Sequence, residues 1–132
     1  MGSRYKMMAD EQRILEALDG LVAGFNSHDI DAIMGFFAED CSLDLPRGPE
    51  PHGSRCVGGD EVRRGLMSRF ETTPDVHYGE VENFASGNTG MSKWLLTGTT
   101  PQGEKVCVRG CDFYTFQDGK VARKDSYWKI VT

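Results

Sequence analysis

The hydrophobic periodicity of this chain changes near Pro74, and that change restricts the folds that the sequence can adopt. Before Pro74, apolar residues recur every three or four positions in three segments, which is the spacing of one buried helix face. These segments predict a helix over about 10–26, a second helix capped by Asp29 and a third capped by Asp60. After Pro74 the pattern alternates and predicts four strands, at 77–84, 91–99, 105–116 and 120–131.

Two further short strands are predicted between the second and third helices, at 41–45 and 55–57. The segment that joins them, 46–53, is rich in proline and glycine and is predicted to be a loop. Three helices followed by a meander of strands indicate an α+β fold, with the helices on one face of a curved mixed or antiparallel sheet. Such a sheet wraps the helices as a cone, whose open mouth is a usual place for a small ligand.

The composition is that of one compact domain, and the charge argues against several classes of partner. The chain has 132 residues, of which 39% are hydrophobic and 27% charged, so it can bury a sizeable core. Residues 1–9 are predicted to be a tag or a flexible N-terminus, and residues 10–132 a single domain. The net charge of −5 argues against nucleic acid or an anionic membrane as a partner. No long apolar run or secretory leader is visible, so a cytoplasmic location is expected.

The motifs of the chain give no reason to expect a metal or a cofactor. The four cysteines and three histidines lack the spacing of a zinc site. No glycine-rich phosphate loop and no nucleophile elbow is present in the sequence. Any chemistry is therefore expected from ordinary acid, base and hydrogen-bonding side chains.

Asp112 is the residue that the alternating pattern explains least well. It lies in a predicted strand, on the face that also carries Tyr114 and Phe116. A charge on this apolar face is costly unless it is paired or protonated. One interpretation is an aspartate satisfied by a structural ion pair. The other is a catalytic or ligand-holding carboxyl, for which Gly110 makes room.

The register of the last hairpin decides which residue lies opposite Asp112. A two-residue turn would pair it with Asp125, and two like charges directly opposed are unfavourable. A three-residue turn with Gly119 in the left-handed conformation pairs it with Lys124, and we predict this register. The residues then expected on the same face as Asp112 are Ala122, Lys124, Ser126 and Trp128.

Several strings, in this order, resemble the nuclear transport factor 2-like superfamily, in particular its SnoaL-like and ketosteroid isomerase-like members. The strings are FFAED at 36–40, LDLPRGPEP at 43–51, CDFYTFQDGKV at 111–121 and SYW at 126–128. The resemblance covers the chain from about residue 10 onward. It implies a cone-shaped, cystatin-like domain and a homodimer formed through the convex face of the sheet.

The resemblance to ketosteroid isomerases carries over one of three functional groups. Asp112 matches the penultimate-strand carboxyl, which is an oxyanion-hole donor in the isomerases and the proposed acid/base in SnoaL-like cyclases. The position of the isomerase general base falls at Leu45, with Asp44 one residue earlier and expected on the other face. The isomerase tyrosine falls at Leu21. Steroid isomerisation is therefore disfavoured.

Two other enzyme patterns of the superfamily are also incomplete here. The string HYG at 77–79 resembles the strand on which a histidine is the general base of dehydratase-like members, which makes His77 a candidate. The aspartate that partners this histidine falls at Asn26, and an asparagine can orient an imidazole but cannot stabilise an imidazolium as a carboxylate does. The second aspartate of epoxide hydrolase members falls at Ser126.

The first hypothesis is a small-molecule acid/base enzyme without a cofactor, of isomerase, cyclase or lyase type, that moves a proton next to a carbonyl. Asp112 and His77 are its candidate catalytic residues. Its candidate substrate-binding residues are Asn26, Tyr114, Lys124, Ser126, Trp94 and Trp128, the aromatic members either packing the core or lining a pocket for an apolar or ring-bearing molecule. The alternative is a non-catalytic ligand-binding or dimeric assembly module. Whether Asp112 is protonated or paired with Lys124 is left open by the sequence.

Overall fold

The computed structural model describes residues 2–132, with side chains from Met8 onward. Three helices and six strands follow one another along the chain, and the helices come first, interrupted by one hairpin. The helices are α1 (Gly2–Asn26), α2 (Ile30–Met34) and α3 (Gly59–Thr72). The strands are β1 (Phe37–Glu50), β2 (Gly53–Val57), β3 (His77–Ser86), β4 (Thr89–Thr99), β5 (Lys105–Gln117) and β6 (Lys120–Trp128).

The six strands form one mixed sheet in the order β2-β1-β6-β5-β4-β3. The meander from β3 to β6 is antiparallel, as predicted, and β1 joins it by pairing parallel to β6. The helices cover one face of this sheet, where apolar side chains of α1 and α3 meet those of the strands. The predicted α+β fold with helices on a mixed sheet is therefore confirmed.

The ends of several elements differ from the predicted ones. Helix α1 begins at Gly2 instead of near residue 10, and the assignment of residues 1–9 to a tag or flexible terminus stays a prediction. The predicted loop 46–53 is wrong for most of its length, because β1 continues through a bulge to Glu50 and the hairpin turns at 51–52. Asp60 does not cap α3. Gly58 occupies the N-cap with φ 87°, and Asp60 lies in the first turn, where its charge suits the helix dipole.

The predicted register of the last hairpin is also wrong. The turn has two residues, Asp118 and Gly119, both with positive φ, and a bulge at Ala122 then shifts the pairing by one residue. Asp112 therefore lies opposite Ser126, and Lys124 lies opposite Tyr114. The bulge thereby avoids the unfavourable opposition of Asp112 and Asp125 that a regular two-residue hairpin would produce.

Side-chain hydrogen bonds fix the start of α2 and the end of α1. The Asp29 carboxylate accepts from the Ala32 backbone N–H at 3.1 Å, so the predicted cap of α2 is confirmed. The amide of Asn26 donates to the carbonyl of Tyr78 at 3.0 Å and accepts from its N–H at 2.8 Å. The end of α1 is thus fixed against the start of β3. No helix within residues 2–132 is long and apolar enough to cross a membrane.

Candidate functional site

Three rows of side chains cross the central strands β4, β5 and β6 on the helix-covered face, and together they form the candidate site. Because directly paired residues of neighbouring strands point to the same face, each row brings three residues side by side. The middle row is Ser92, Asp112 and Ser126. The rows on either side are Gly90, Tyr114 and Lys124, and Trp94, Gly110 and Trp128.

Asp112 accepts hydrogen bonds on both carboxylate oxygens. Lys124 Nζ lies 3.1 Å and Ser126 Oγ 2.6 Å from Oδ1, while Trp94 Nε1 donates to Oδ2 at 2.9 Å. The ammonium of Lys124 also donates to Ser126 Oγ at 2.7 Å, which closes a triangle of three polar groups. Asp112 is 4% exposed and Lys124 6% exposed, so this ion pair is buried.

The hydrogen-bond pattern is that of an ionised aspartate paired with an ionised lysine. Lysine ammonium and indole N–H groups are donors only, so they can meet a carboxylate oxygen but cannot accept a proton from a carboxylic acid. Ser126 accepts from Lys124 and has its one hydroxyl proton left for Asp112. The alternative that the sequence left open, a protonated Asp112, does not fit this arrangement.

Gly110 makes room for Trp94, and not for Asp112 as the sequence suggested. Gly110 and Trp94 are directly paired across β4 and β5. A Cβ on Gly110 would lie 2.5 Å from the Trp94 ring and 2.5 Å from the Tyr127 carbonyl oxygen. The absent side chain therefore lets the indole lie flat enough over β5 for its N–H to reach the Asp112 carboxylate.

Aromatic rings enclose the Asp112–Lys124 pair. Trp94 packs edge-on against Tyr78 at 5.1 Å and against Trp128 at 5.9 Å between ring centroids. The Lys124 ammonium lies 5.5 Å from the centre of the Phe25 ring, within cation–π range. Burial raises the pKa of Tyr78 and also that of Tyr114, so both phenols are neutral at ordinary pH.

A small cavity remains between these rings, α3 and the ion pair. It encloses about 20 Å³, which is room for about one water molecule. Its lining includes Asp112, Lys124 and Ser126 on one side and the half-buried Arg69 of α3 on the other. The guanidinium carbon of Arg69 lies 4.3 Å above the Trp128 ring, so these two side chains close the cavity toward solvent.

The structure does not bring His77 and Asn26 into this cavity. His77 is exposed on the outer face of β3, and its neighbour Tyr78 points inward instead. Asn26 uses its amide to hold the backbone of Tyr78, which makes it a positioning residue. The remaining predicted site residues all lie at the three rows: Asp112, Lys124, Ser126, Tyr114, Trp94 and Trp128.

Sequence reasoning missed three residues that the structure places at the site. Tyr78 was passed over because His77 carried the family resemblance, although strand alternation allows only one of the two to face inward. Arg69 follows the apolar positions of α3 and reaches the cavity through its long side chain. Ser92 lies opposite Asp112, and its buried hydroxyl has no hydrogen-bond partner among the described residues.

Asp44 lies on the outer face of the sheet, as expected. It is 2% exposed there because Arg55, across the hairpin, covers it and donates to both of its oxygens, at 2.7 and 3.0 Å. This hydrogen bonding lowers the pKa of the Asp44 carboxyl below its ordinary value. Asp44 is therefore half of a structural ion pair and does not supply the base that would be needed at the Leu45 position. Within the described residues, no three His, Cys, Asp or Glu side chains are grouped as metal ligands.

Comparison with known protein families identifies the family of this chain. The model of the SnoaL-like domain family matches residues 18–124, so the chain belongs to the SnoaL-like domain family. This confirms the resemblance seen in the sequence. Among curated proteins, none matches the chain.

Solved structures share the fold at low sequence identity. A putative polyketide cyclase from Xanthomonas campestris pv. campestris has a TM-score of 0.81 at 22% identity, over 91% of this chain and 93% of that one. A putative isomerase from Bacillus subtilis has a TM-score of 0.76 at 16% identity, over 89% and 87%. TerC, co-crystallized with polyporic acid, has a TM-score of 0.74 at 19% identity, over 89% and 92%. At these identities the likeness shows the nuclear transport factor 2-like fold and nothing finer.

Proposed function

We propose that this protein is a cofactor-independent acid/base enzyme of isomerase, cyclase or lyase type that moves a proton next to a carbonyl of a small ring-bearing molecule. The observation that carries the proposal is a buried carboxylate with a cation beside it, enclosed by aromatic rings. A buried ion pair contributes little to stability compared with apolar residues of the same volume. Its position at the cavity therefore favours a chemical role.

In this proposal, Asp112 is the base and Lys124 stabilises the negative charge that develops. The carboxylate removes a proton from the carbon next to the carbonyl, and electron density moves to the carbonyl oxygen. The Lys124 ammonium and the Ser126 hydroxyl lie beside the carboxylate and are donors that can meet this oxygen. In an isomerisation, the protonated carboxyl returns the proton to a second carbon. In a cyclisation it gives the proton to the alkoxide formed when the enolate attacks a second carbonyl, and in an elimination to the leaving group, so no external acid is consumed.

The remaining groups orient the reacting partners. Trp94 holds Oδ2 of the carboxylate through its indole N–H, which leaves the other oxygen to exchange its donors for a substrate. Phe25, Tyr78 and Trp128 supply apolar walls that suit a ring. Because the cavity has room for only about one water molecule, a ring enters only when Arg69 and Trp128 move apart.

The proposal is tested by proton exchange. Wild-type protein, Asp112→Asn and His77→Gln are incubated in D₂O with cyclic ketones and β-dicarbonyl compounds, and loss of the α-proton signal is followed by NMR. We expect exchange in the wild type, a loss of at least about a hundredfold in Asp112→Asn, and no change in His77→Gln. Near-UV circular dichroism checks that each variant is folded at the assay temperature. Proton exchange that survives in folded Asp112→Asn would show that Asp112 is not the base.

A second candidate function is a non-catalytic binding or assembly module, which the small volume of the cavity favours. The protein's own aromatic side chains fill most of the cone, and Asp112 already has three hydrogen-bond donors. For such a module, ring-bearing ligands would bind with similar affinity to wild type and Asp112→Asn, and no carbonyl compound in the panel would exchange protons.

We also propose a homodimer formed through the outer face of the sheet. Phe84, Phe113 and Tyr127 are 47%, 41% and 55% exposed there, and Phe113 packs edge-on against Tyr127 at 5.7 Å. Exposed rings grouped on one face are typical of a subunit interface. Sedimentation should show a dimer that Phe113→Lys weakens and that Arg64→Gln, on the exposed side of α3, leaves intact. A monomeric wild type would contradict this proposal. A cytoplasmic location stays a prediction.

A further inference from the structure

Arg69 closes the cavity, but the described residues provide it with little to bind. Its guanidinium donates to the hydroxyl of Thr72 on its own helix, at 3.3 Å, and also interacts with the neutral hydroxyl of Tyr78. Among residues 8–132, no carboxylate oxygen lies within 4.0 Å of the guanidinium. An arginine side chain has five N–H donors in a planar fork that fits a carboxylate. Most of these donors are unused in the closed cavity.

The side chains that line the cavity carry one more positive than negative charge. Arg69 and Lys124 are the cations, and Asp112 is the anion. Asp112 is already paired with Lys124, so the charge of Arg69 is not neutralised by contact. This local excess is opposite in sign to the net charge of the whole chain, which is −5. The excess of positive charge is therefore a local feature of the cavity and does not reflect the composition of the whole chain.

The surroundings of Arg69 disfavour its charge. Burial lowers the pKa of its guanidinium and outweighs the Tyr78 hydroxyl and the Asp112 carboxylate, which raise it. The nearby positive charge of Arg47, on the extended part of β1, adds a smaller lowering. An anion at this place would offset both effects and satisfy the free donors. The contact with Trp128 is a face-on stack that a ring-bearing ligand can replace with its own ring.

We propose that Arg69 determines specificity by binding an anionic group on the ligand, a carboxylate or an acidic enol, at the mouth of the cavity while the ring lies against Trp128. This inference rests on the proposed function and narrows its substrate class to ring-bearing acids. The anion binds the guanidinium fork, and the ring then points toward Asp112 and Lys124. A neutral molecule of the same shape lacks the group that separates Arg69 from Trp128.

A structural explanation competes with this inference. An arginine in the last turn of a helix interacts favourably with the helix dipole, and its stem packs over Trp128. Such a role would change stability on substitution but would not distinguish an anionic probe from a neutral one. The ratio of the two affinities is therefore the decisive measurement.

The test uses two probes of equal shape, 2-naphthoate and 2-naphthamide. The chain contains two tryptophans, Trp94 and Trp128, and both line the cavity, so the indole N–H signals in a ¹H–¹⁵N NMR spectrum report binding there. We expect 2-naphthoate to bind the wild type about tenfold or more tightly than 2-naphthamide, as a charge-assisted hydrogen bond provides. Arg69→Gln should bring the ratio close to one, and Arg69→Lys should keep a reduced preference.

The matched control is Arg64→Gln, which removes the same charge from the exposed side of the same helix. It should retain the preference of the wild type. Equal binding of both probes to the wild type, or a ratio unchanged in Arg69→Gln, would overturn the role of Arg69 and leave the proposed function standing. If neither probe shifts the indole signals, both the inference and the ring-binding cavity are wrong.

Discussion

The ammonium of Lys124 lies 3.1 Å from Oδ1 of Asp112, and both side chains are almost fully buried in the cone. Ser126 bridges the two charges, and Trp94 holds the second carboxylate oxygen. The pair thus combines a base with a group that stabilises negative charge. An oxyanion-hole donor would require a protonated Asp112, and the hydrogen bonds of this site are those of an ionised one.

The first prediction concerns the stability of this pair. Asp112→Asn leaves the Lys124 ammonium buried without its counter-charge, which costs about 3–5 kcal/mol. The melting midpoint should fall by roughly 10 °C or more for a chain of this size. The double variant Asp112→Asn with Lys124→Met removes both charges and should recover most of the loss. Thermal melts of the wild type, the single variants Asp112→Asn and Lys124→Met, and the double variant provide the complete cycle.

A rise of the midpoint in Asp112→Asn would contradict this prediction. It would mean that the carboxylate is held at a cost to stability that Lys124 does not offset.

The faces of the strands could be predicted from the sequence, but the register of the last hairpin could not. Alternation along β5 is local, and it correctly placed Asp112 on the buried face with Tyr114. The bulge at Ala122 depends on long-range packing: Val121 is fully buried, and its N–H bonds to the carbonyl of Phe36 at 2.8 Å. Nothing within the hairpin itself encodes that contact.

The sequence left open whether Asp112 is protonated or paired with Lys124, and it predicted the wrong position for Lys124. Lys124 was placed opposite Asp112, whereas it lies one row away and reaches the carboxylate diagonally along a long side chain. The outward direction of His77 likewise follows from a contact 52 residues apart, because Asn26 fixes the backbone of Tyr78 and so sets which residue of β3 points inward. Arg69 was missed because helical periodicity describes apolar positions and not the reach of a charged side chain.

The second prediction concerns the clamp at Asn26. Asn26→Ala removes two hydrogen bonds to the backbone of Tyr78 and leaves part-buried groups unpaired, which should cost about 1–3 kcal/mol of stability. Tyr78 packs edge-on against Trp94, so the near-UV circular dichroism of tryptophan should weaken as well.

Asn26→Asp is the informative companion variant. It restores the aspartate that dehydratase-like members carry, but its carboxylate cannot donate to the Tyr78 carbonyl, and His77 points away from the cavity. Asn26→Asp should be less stable than wild type and should gain no dehydratase-type activity. An Asn26→Asp protein as stable as wild type would show that the donated hydrogen bond contributes nothing.

The third prediction concerns the space over Gly110. Gly110→Ala places a methyl group 2.5 Å from the Trp94 ring, so the indole must tilt away and its hydrogen bond to Asp112 lengthens. Overpacking of this kind costs about 1–3 kcal/mol. Gly59→Ala is the control, because the nearest atom to its added Cβ is the Glu39 carbonyl oxygen at 3.7 Å. The indole proton of Trp94 should shift in the NMR spectrum of the first variant only.

The fourth prediction uses the outer ion pair between Asp44 and Arg55 to set a pH dependence. The hydrogen bonds from Arg55 lower the pKa of Asp44 in the folded protein, whereas in the unfolded chain that pKa is about 3.9. A depressed folded pKa contributes stability that is fully present above the unfolded pKa and is lost as pH falls through the folded pKa. Arg55→Gln removes the cause of this depression.

The melting midpoint of wild type should therefore exceed that of Arg55→Gln by a constant difference from about pH 5 to 7, and the difference should shrink as pH falls below about 4. Thermal melts of both proteins between about pH 2.5 and 7 check this. Arg64→Gln removes an exposed arginine that has no carboxylate within 4.0 Å among the described residues, so its difference from wild type should not follow the same curve. A difference for Arg55→Gln that persists unchanged into acid would mean that Arg55 stabilises the hairpin through its packing and not through the charge of Asp44.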